Sequence, residues 1–176
     1  MELSQCIKDY IMELTDGDAL YNKNELQIEK LCKKLNLGCF SAEFEGDISG
    51  AIAKDKDSES YSIYVNRKHP RNRRRFTLAH EIGHYISFKK GSYSKVELEK
   101  NGELEDYAIS YRKDGVSSDA ETEANLIAAE LLMPQRMIEK LMEEKLTPEQ
   151  MAERFFVSPS AMTIRLKDLY PNLMVI

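Results

Sequence analysis

His80-Glu81-Ile82-Gly83-His84 sets two imidazoles and a carboxylate at a spacing suited to one reaction. Residues four apart in a helix lie one above the other on the same face. His80 and His84 could therefore grip one zinc ion. Glu81, next to the first histidine, could hold a water on that ion and take its proton. H-E-x-x-H also arises by chance in charged helices, and 31% of this chain is charged. Context separates the two readings. The chain has 3 histidines, and two of them are here. The flanks Phe76, Leu78, Ala79, Ile82, Tyr85, Ile86 and Phe88 predict a buried helix. A buried helix does not hold two histidines and a glutamate without partners for them.

A catalytic zinc needs three protein ligands and one open position. Cys6, Cys32 and Cys39 lie near no suitable helix. His69 is an alternative, in a basic, proline-containing stretch ahead of the motif. The favoured third ligand is Glu121, in Glu121-Thr122-Glu123-Ala124-Asn125. Glu121 and Asn125 share a helical face that continues through Ala128 and Leu132, so the face points inward. One of the two could bind the metal while the other orients a ligand histidine. The plainer account of Glu121 is a carboxylate favoured by the dipole in a first helical turn.

The elements that must position these groups follow from periodicity. Leu3, Ile7, Tyr10, Ile11 and Leu14 make one stripe, predicting a helix over 2–14 broken by Asp16-Gly17. Leu26, Ile28, Leu31 and Leu35 predict a second helix over about 23–36, with Gly38 as its stop. Residues 39–44, 48–53 and 61–65 read as short strands, and the polar stretch 54–60 as a hairpin loop. The short connections predict antiparallel pairing. The motif helix should run from about Asn72 to Lys90, with Gly91 ending it. Residues 91–118 are polar and aperiodic, so they predict a long loop, a lid or substrate-binding edge beside the site. Helices should follow at 119–133 and 135–145, with Pro134 closing one and opening the next. In the tail, Thr147-Pro148 and Ser158-Pro159 read as cap and first-turn signals of two further helices.

At 176 residues and 42% apolar content, the chain is long enough for one domain with a small appendage. A net charge of −5 argues against nonspecific binding to nucleic acid or membrane. No apolar run approaches the roughly 20 residues that span a bilayer. Met1-Glu2-Leu3-Ser4 lacks the start of a signal peptide. The odd cysteine count, with no C-x-x-C pair, predicts reduced, mostly buried thiols and a cytoplasmic location.

The stretch Arg75 to Tyr85, taken with the block Glu121 to Pro134, closely resembles the ImmA/IrrE family of metallopeptidases. The family's second block reads approximately E-x-x-A-N-x-F-A-A-x-L-L-M-P. This chain departs at Ile127, where an aromatic is usual, a packing change that leaves the chemistry intact. The resemblance extends more loosely from near residue 40 to the C-terminal tail. It implies an α+β, zincin-like domain: a small antiparallel sheet packed on the metal helix, with C-terminal helices beyond. The metallopeptidase domain is expected over 1–145 and a helical, helix-turn-helix-like extension over 146–176. Characterised relatives act in the cytoplasm of bacteria. Several cleave, or promote cleavage of, helix-turn-helix repressors of mobile elements or stress genes, so such a repressor is the implied partner.

The implied reaction is zinc-dependent peptide hydrolysis, with Zn2+ held by His80, His84 and Glu121, Glu81 as the base, and Asn125 behind a ligand histidine. Tyr93, Tyr107, Tyr111 and His69 are candidate oxyanion donors, undistinguished by the sequence. Two features point elsewhere. Arg67 to Arg75 is strongly basic and could grip an acidic partner, although charge runs are usually solvated and ion-paired. The tail from Met151 to Met162 resembles a helix-turn-helix. Its charges from Thr147 to Tyr170 sum to zero, which is poor for phosphate contacts. The alternative function is therefore a regulatory module that keeps the fold and docks protein or DNA without proteolysis.

Overall fold

The computed structural model describes residues 2–45, 48–54, 60–90, 103–104, 107–111 and 119–172, with only the backbone of the 103–104 and 107–111 segments. The first helix, α1 (Gln5–Leu14), begins at the cap Ser4, whose hydroxyl accepts from the Ile7 amide. It buries Ile7, Ile11 and Leu14, the expected stripe. Asp16 and Gly17 then adopt positive φ (49° and 65°) and turn the chain away.

The helix anticipated over 23–36 is shorter than its apolar spacing suggested. Lys23 and Asn24 take left-handed backbone angles (φ 49° and 73°). They make the tight turn of a hairpin between β1 (Tyr21–Asn22) and β2 (Glu25–Leu26). Only then does α2 (Ile28–Lys34) start. Leu26 reaches the core from a strand, and Ile28 and Leu31 reach it from the helix. Nor is Gly38 the stop. Asn36 supplies the left-handed residue after α2 (φ 56°), and Gly38 already lies in β3 (Leu37–Ala42).

Next come β4 (Gly50–Lys54) and β5 (Tyr61–Asn66), paired antiparallel as anticipated. β3, however, pairs with β5 in parallel, Leu37 opposite Tyr61 through Ala42 opposite Asn66. The connection from β3 to β5 contains the whole of β4, which lies on the far side of β5. It is therefore long enough for a parallel return, with a strand where a crossover helix is usual. The segment 91–118, read as a long loop, contributes two strands to the same sheet: β6 (Glu103–Leu104) and β7 (Tyr107–Tyr111). β7 pairs antiparallel with β4, so the sheet order is β3-β5-β4-β7-β6. The polar residues around it obscured the short run Tyr107-Ala108-Ile109-Ser110-Tyr111, whose tyrosines and isoleucine are β formers and which pairs with the β4 edge. Gly91, the expected stop of the motif helix, and Tyr93 lie outside the described residues.

The motif helix α3 (Arg71–Lys89) is buried nearly all round at its centre, from Thr77 to Gly83. One side meets the sheet. A Cβ on Gly50 of β4 would stand 2.5 Å from Thr77 Cγ2 and 2.8 Å from the Tyr64 carbonyl, so only glycine admits this contact. Tyr61 and Tyr85 add an edge-to-face pair at 5.5 Å between ring centroids. The other side packs along α4 (Asp119–Leu132), the most extensive contact among the described elements. Tyr21 Oη donates to the Leu131 carbonyl at 2.8 Å, tying the hairpin to α4.

Pro134 separates α4 from α5 (Gln135–Glu143). In the tail both cap signals are realised. Thr147 and Gln150 form a reciprocal capping box on α6 (Pro148–Phe155), and Ser158 caps α7 (Pro159–Leu169). Phe156 ends α6 in the left-handed region (φ 55°). Met151, Phe155, Met162 and Leu166 from this pair belong to the same hydrophobic cluster as Ile11, Ile82 and Leu131. Arg165, 5% exposed, ion-pairs with Glu130 of α4, and its Nε donates to the Met133 carbonyl at 3.2 Å. Among the described residues, no helix is long and apolar enough to cross a membrane.

Candidate metal centre

Two helices build the site. His80 and His84 stand one turn apart on α3, and Glu121 faces them from the first turn of α4. The helices must approach closely for one carboxylate to reach both imidazoles. Gly83, between the histidines, makes that possible: a Cβ there would lie 2.6 Å from the Ala124 carbonyl oxygen. This role was not read from the sequence. The available signal was a glycine inside an otherwise helical, apolar run, where it costs helix stability unless packing requires it.

The resulting geometry is tight. Glu121 Oε2 lies 3.2 Å from His80 Nε2, and Oε1 lies 3.1 Å from His84 Nε2. The two Nε2 atoms are 3.0 Å apart. One ligand atom from each of the three residues lies within 4.8 Å of the others, so the group could hold a metal ion. Two imidazole nitrogens and a carboxylate oxygen also match the donor set of a three-ligand metal site with one position open. His80 is fully buried, while His84 and Glu121 are 10% and 24% exposed, leaving one side of the cluster open.

Behind His80, Nδ1 lies 2.9 Å from Asn125 Oδ1. An amide oxygen only accepts, so Nδ1–H donates to it and Nε2 faces the cluster. Phe76 lies alongside the His80 ring, 6.5 Å between centroids and 27° from coplanar. Burial pushes the Glu121 carboxyl up, but hydrogen bonds and charge from His80 and His84 outweigh this and hold it well below the usual carboxylate range. The group therefore stays anionic, as a metal ligand must. Glu81, next to His80, is buried.

The structure thus brings His80, His84, Glu121 and Asn125 together. His69 stands apart, in the turn between β5 and α3, and is not a member of the metal group. Tyr107 and Tyr111 are placed on β7 by their backbone. Part of the basic run from Arg67 to Arg75, which continues into the first turns of α3, is ion-paired. Arg71 and Arg75 both reach Glu25 Oε1 at 3.0 Å, and Arg67 reaches Glu43 at 2.5 Å.

Compared with known families, residues 43–167 match Peptidase_M78, the IrrE N-terminal-like domain. A search of curated proteins finds no match. The matched span contains both helices of the metal group and most of the C-terminal helices, as the sequence resemblance implied. The chain therefore belongs to the Peptidase_M78 family of metallopeptidases, on a fold that assembles His80, His84 and Glu121 into a candidate metal centre.

Proposed function

We propose that the protein is a zinc-dependent endopeptidase with a narrow protein substrate, a helix-turn-helix transcriptional repressor of a mobile element or stress response. The observation that carries the reading is the convergence of the His80, His84 and Glu121 donor atoms beside a buried Glu81. A bound zinc ion would polarise the peptide carbonyl and make a coordinated water acidic near neutral pH. Glu81 takes the proton of the attacking water and passes it to the leaving amine. Asn125 Oδ1 accepts from His80 Nδ1–H, so Nε2 is the nitrogen that would coordinate the ion. The donor to the developing oxyanion comes from Tyr93, Tyr107, Tyr111 or His69. The substrate class rests on the family resemblance, and the site of action is the cytoplasm.

The C-terminal helix pair contacts protein rather than DNA in this reading. One of its few cations, Arg165, is spent inside the fold on Glu130. Phosphate binding would need it outside.

The test is co-expression with the repressor encoded beside this gene. Wild-type protein should carry one zinc per chain and cleave it, and a chelator should stop cleavage. Glu81→Gln should keep the zinc and lose cleavage. A Glu81→Gln variant that cuts at the wild-type rate would sink the mechanism. Stoichiometric zinc with no cleavage of that regulator would favour the non-proteolytic binding module.

A further inference from the structure

Three turns of this chain put large side chains into the left-handed backbone region at one spot on the surface. Lys23 (φ 49°) lies in the hairpin turn between β1 and β2, Lys145 (φ 60°) follows α5, and Phe156 (φ 55°) ends α6. Glycine takes such angles freely and is the usual residue past a helix end. Here two lysines and a phenylalanine are held there against their preference. All three line one cleft of about 740 Å³, which Leu146 and Arg154 also line. Leu146 and Phe156 give it apolar surface, and Phe156 is 40% exposed. Lys23, Lys145 and Arg154 make no ion pair among the described residues. Arg71 stands over the Phe156 ring, 5.2 Å from its centroid, and shares the Glu25 carboxylate with Arg75. Glu144 and Glu153 line the cleft as well, so its cations outnumber its carboxylates. The whole chain, by contrast, carries a net charge of −5.

We propose that this cleft docks an acidic segment of a protein partner, with one apolar side chain set between its carboxylates. The apolar side chain rests on Leu146 and Phe156. The flanking carboxylates meet Lys23, Lys145 and Arg154, with Arg71 beside the ring as a further donor. Charge complementarity sets the sign of the partner, since cations without counter-charges attract carboxylates and repel a basic surface. Glu144 and Glu153 set its kind. They stand against the closely spaced phosphates of a nucleic acid, whereas a peptide can place its few carboxylates between them. The left-handed side chains fit the same account. A turn shaped for stability alone would use glycine, and residues in costly backbone cluster where the site is used. The inference extends the reading that the C-terminal helix pair contacts protein. Docking here needs neither the metal nor Glu81, so it stands or falls apart from the proteolytic step.

The test uses the full chain carrying Glu81→Gln, so that no probe is cut. Selection of a displayed library of random short peptides should yield sequences with aspartate or glutamate on both sides of a leucine or phenylalanine. One such peptide, labelled with fluorescein, should bind in anisotropy titrations and weaken as salt rises. Lys23→Gly with Lys145→Gly, and separately Phe156→Gly, should keep the wild-type circular dichroism spectrum, because glycine accepts these angles. Each should nevertheless weaken the peptide about tenfold. Arg154→Glu, an exposed change on α6 that leaves every turn intact, should weaken it at least as much. A basic or uncharged consensus, or no enriched sequence, would overturn the proposal. So would glycine and Arg154→Glu variants that bind as the parent does, or a single-stranded oligothymidine that binds the cleft more tightly than the selected peptide.

Discussion

Gly83 rests directly on the backbone of Ala124, with room for no methyl group: a Cβ would stand 2.6 Å from the carbonyl oxygen and 3.0 Å from Cα. This contact sets how near α4 comes to α3, and so whether Glu121 can reach both histidines. Gly83→Ala tests it. Alanine favours a helix over glycine by about 1 kcal/mol. Overpacking against backbone that cannot rotate away costs about 1–3 kcal/mol. The strain should win, lowering the melting temperature and the zinc bound per chain together. A more stable variant with full zinc would show that the close approach is not required.

Removing Glu121 should empty the centre without unfolding the protein, because this side chain is partly exposed and sits at the start of its helix. Glu121→Ala should retain the wild-type circular dichroism spectrum yet hold far less zinc after gel filtration. Retention of one zinc per chain would mean another residue completes the site.

Asn125→Ala should act more gently, through orientation. It deletes the acceptor 2.9 Å from His80 Nδ1 and frees the ring to rotate or change tautomer. Loss of such an outer partner typically weakens metal binding about 10- to 100-fold. Competition with a chromophoric chelator would measure this, and unchanged affinity would remove Asn125 from the site.

The Arg165–Glu130 pair should be costly to halve and cheap to replace. Arg165→Met leaves the partly buried Glu130 carboxylate unpaired and should destabilise by up to about 3–5 kcal/mol. Adding Glu130→Leu should recover much of that loss. Urea unfolding of the two single variants and the double variant gives the coupling, and simple additivity would show the pair to be energetically independent.

Thr147→Ala removes one half of the capping box on α6. About 1 kcal/mol of stability should go with it. Urea titration reads this directly, and no change would mean that the Pro148 start alone holds the helix end.

Much of the architecture could be read from local chemistry. The stripe of Ile7, Ile11 and Leu14, the Thr147-Pro148 and Ser158-Pro159 starts, and the β-forming run at Tyr61 each carry their own signal within a few residues. The errors share a cause. Leu26 and Ile28 have helical spacing, but Lys23 and Asn24 turn the backbone left-handed and put Leu26 in a strand. The strand Tyr107–Tyr111 carries β-forming tyrosines and Ile109, but it is a short run inside a long polar segment, and its place is fixed by pairing with β4. The parallel pairing of β3 with β5 depends on where β4 inserts, and no residue encodes that by type alone.

The site divides the same way. By itself the sequence determined the donors on α3, because helical spacing obliges residues four apart to share a face, and it nominated Glu121 and Asn125 by their shared spacing and their resemblance to a known block. Only the tertiary structure decided that His69 stays out of the group while Glu121 joins it. Those outcomes depend on how closely helices and strands distant in sequence can approach. Packing sets that distance, through contacts such as Gly83 on Ala124 and the reversal at Asn36, and each is defined only once both partners are in place.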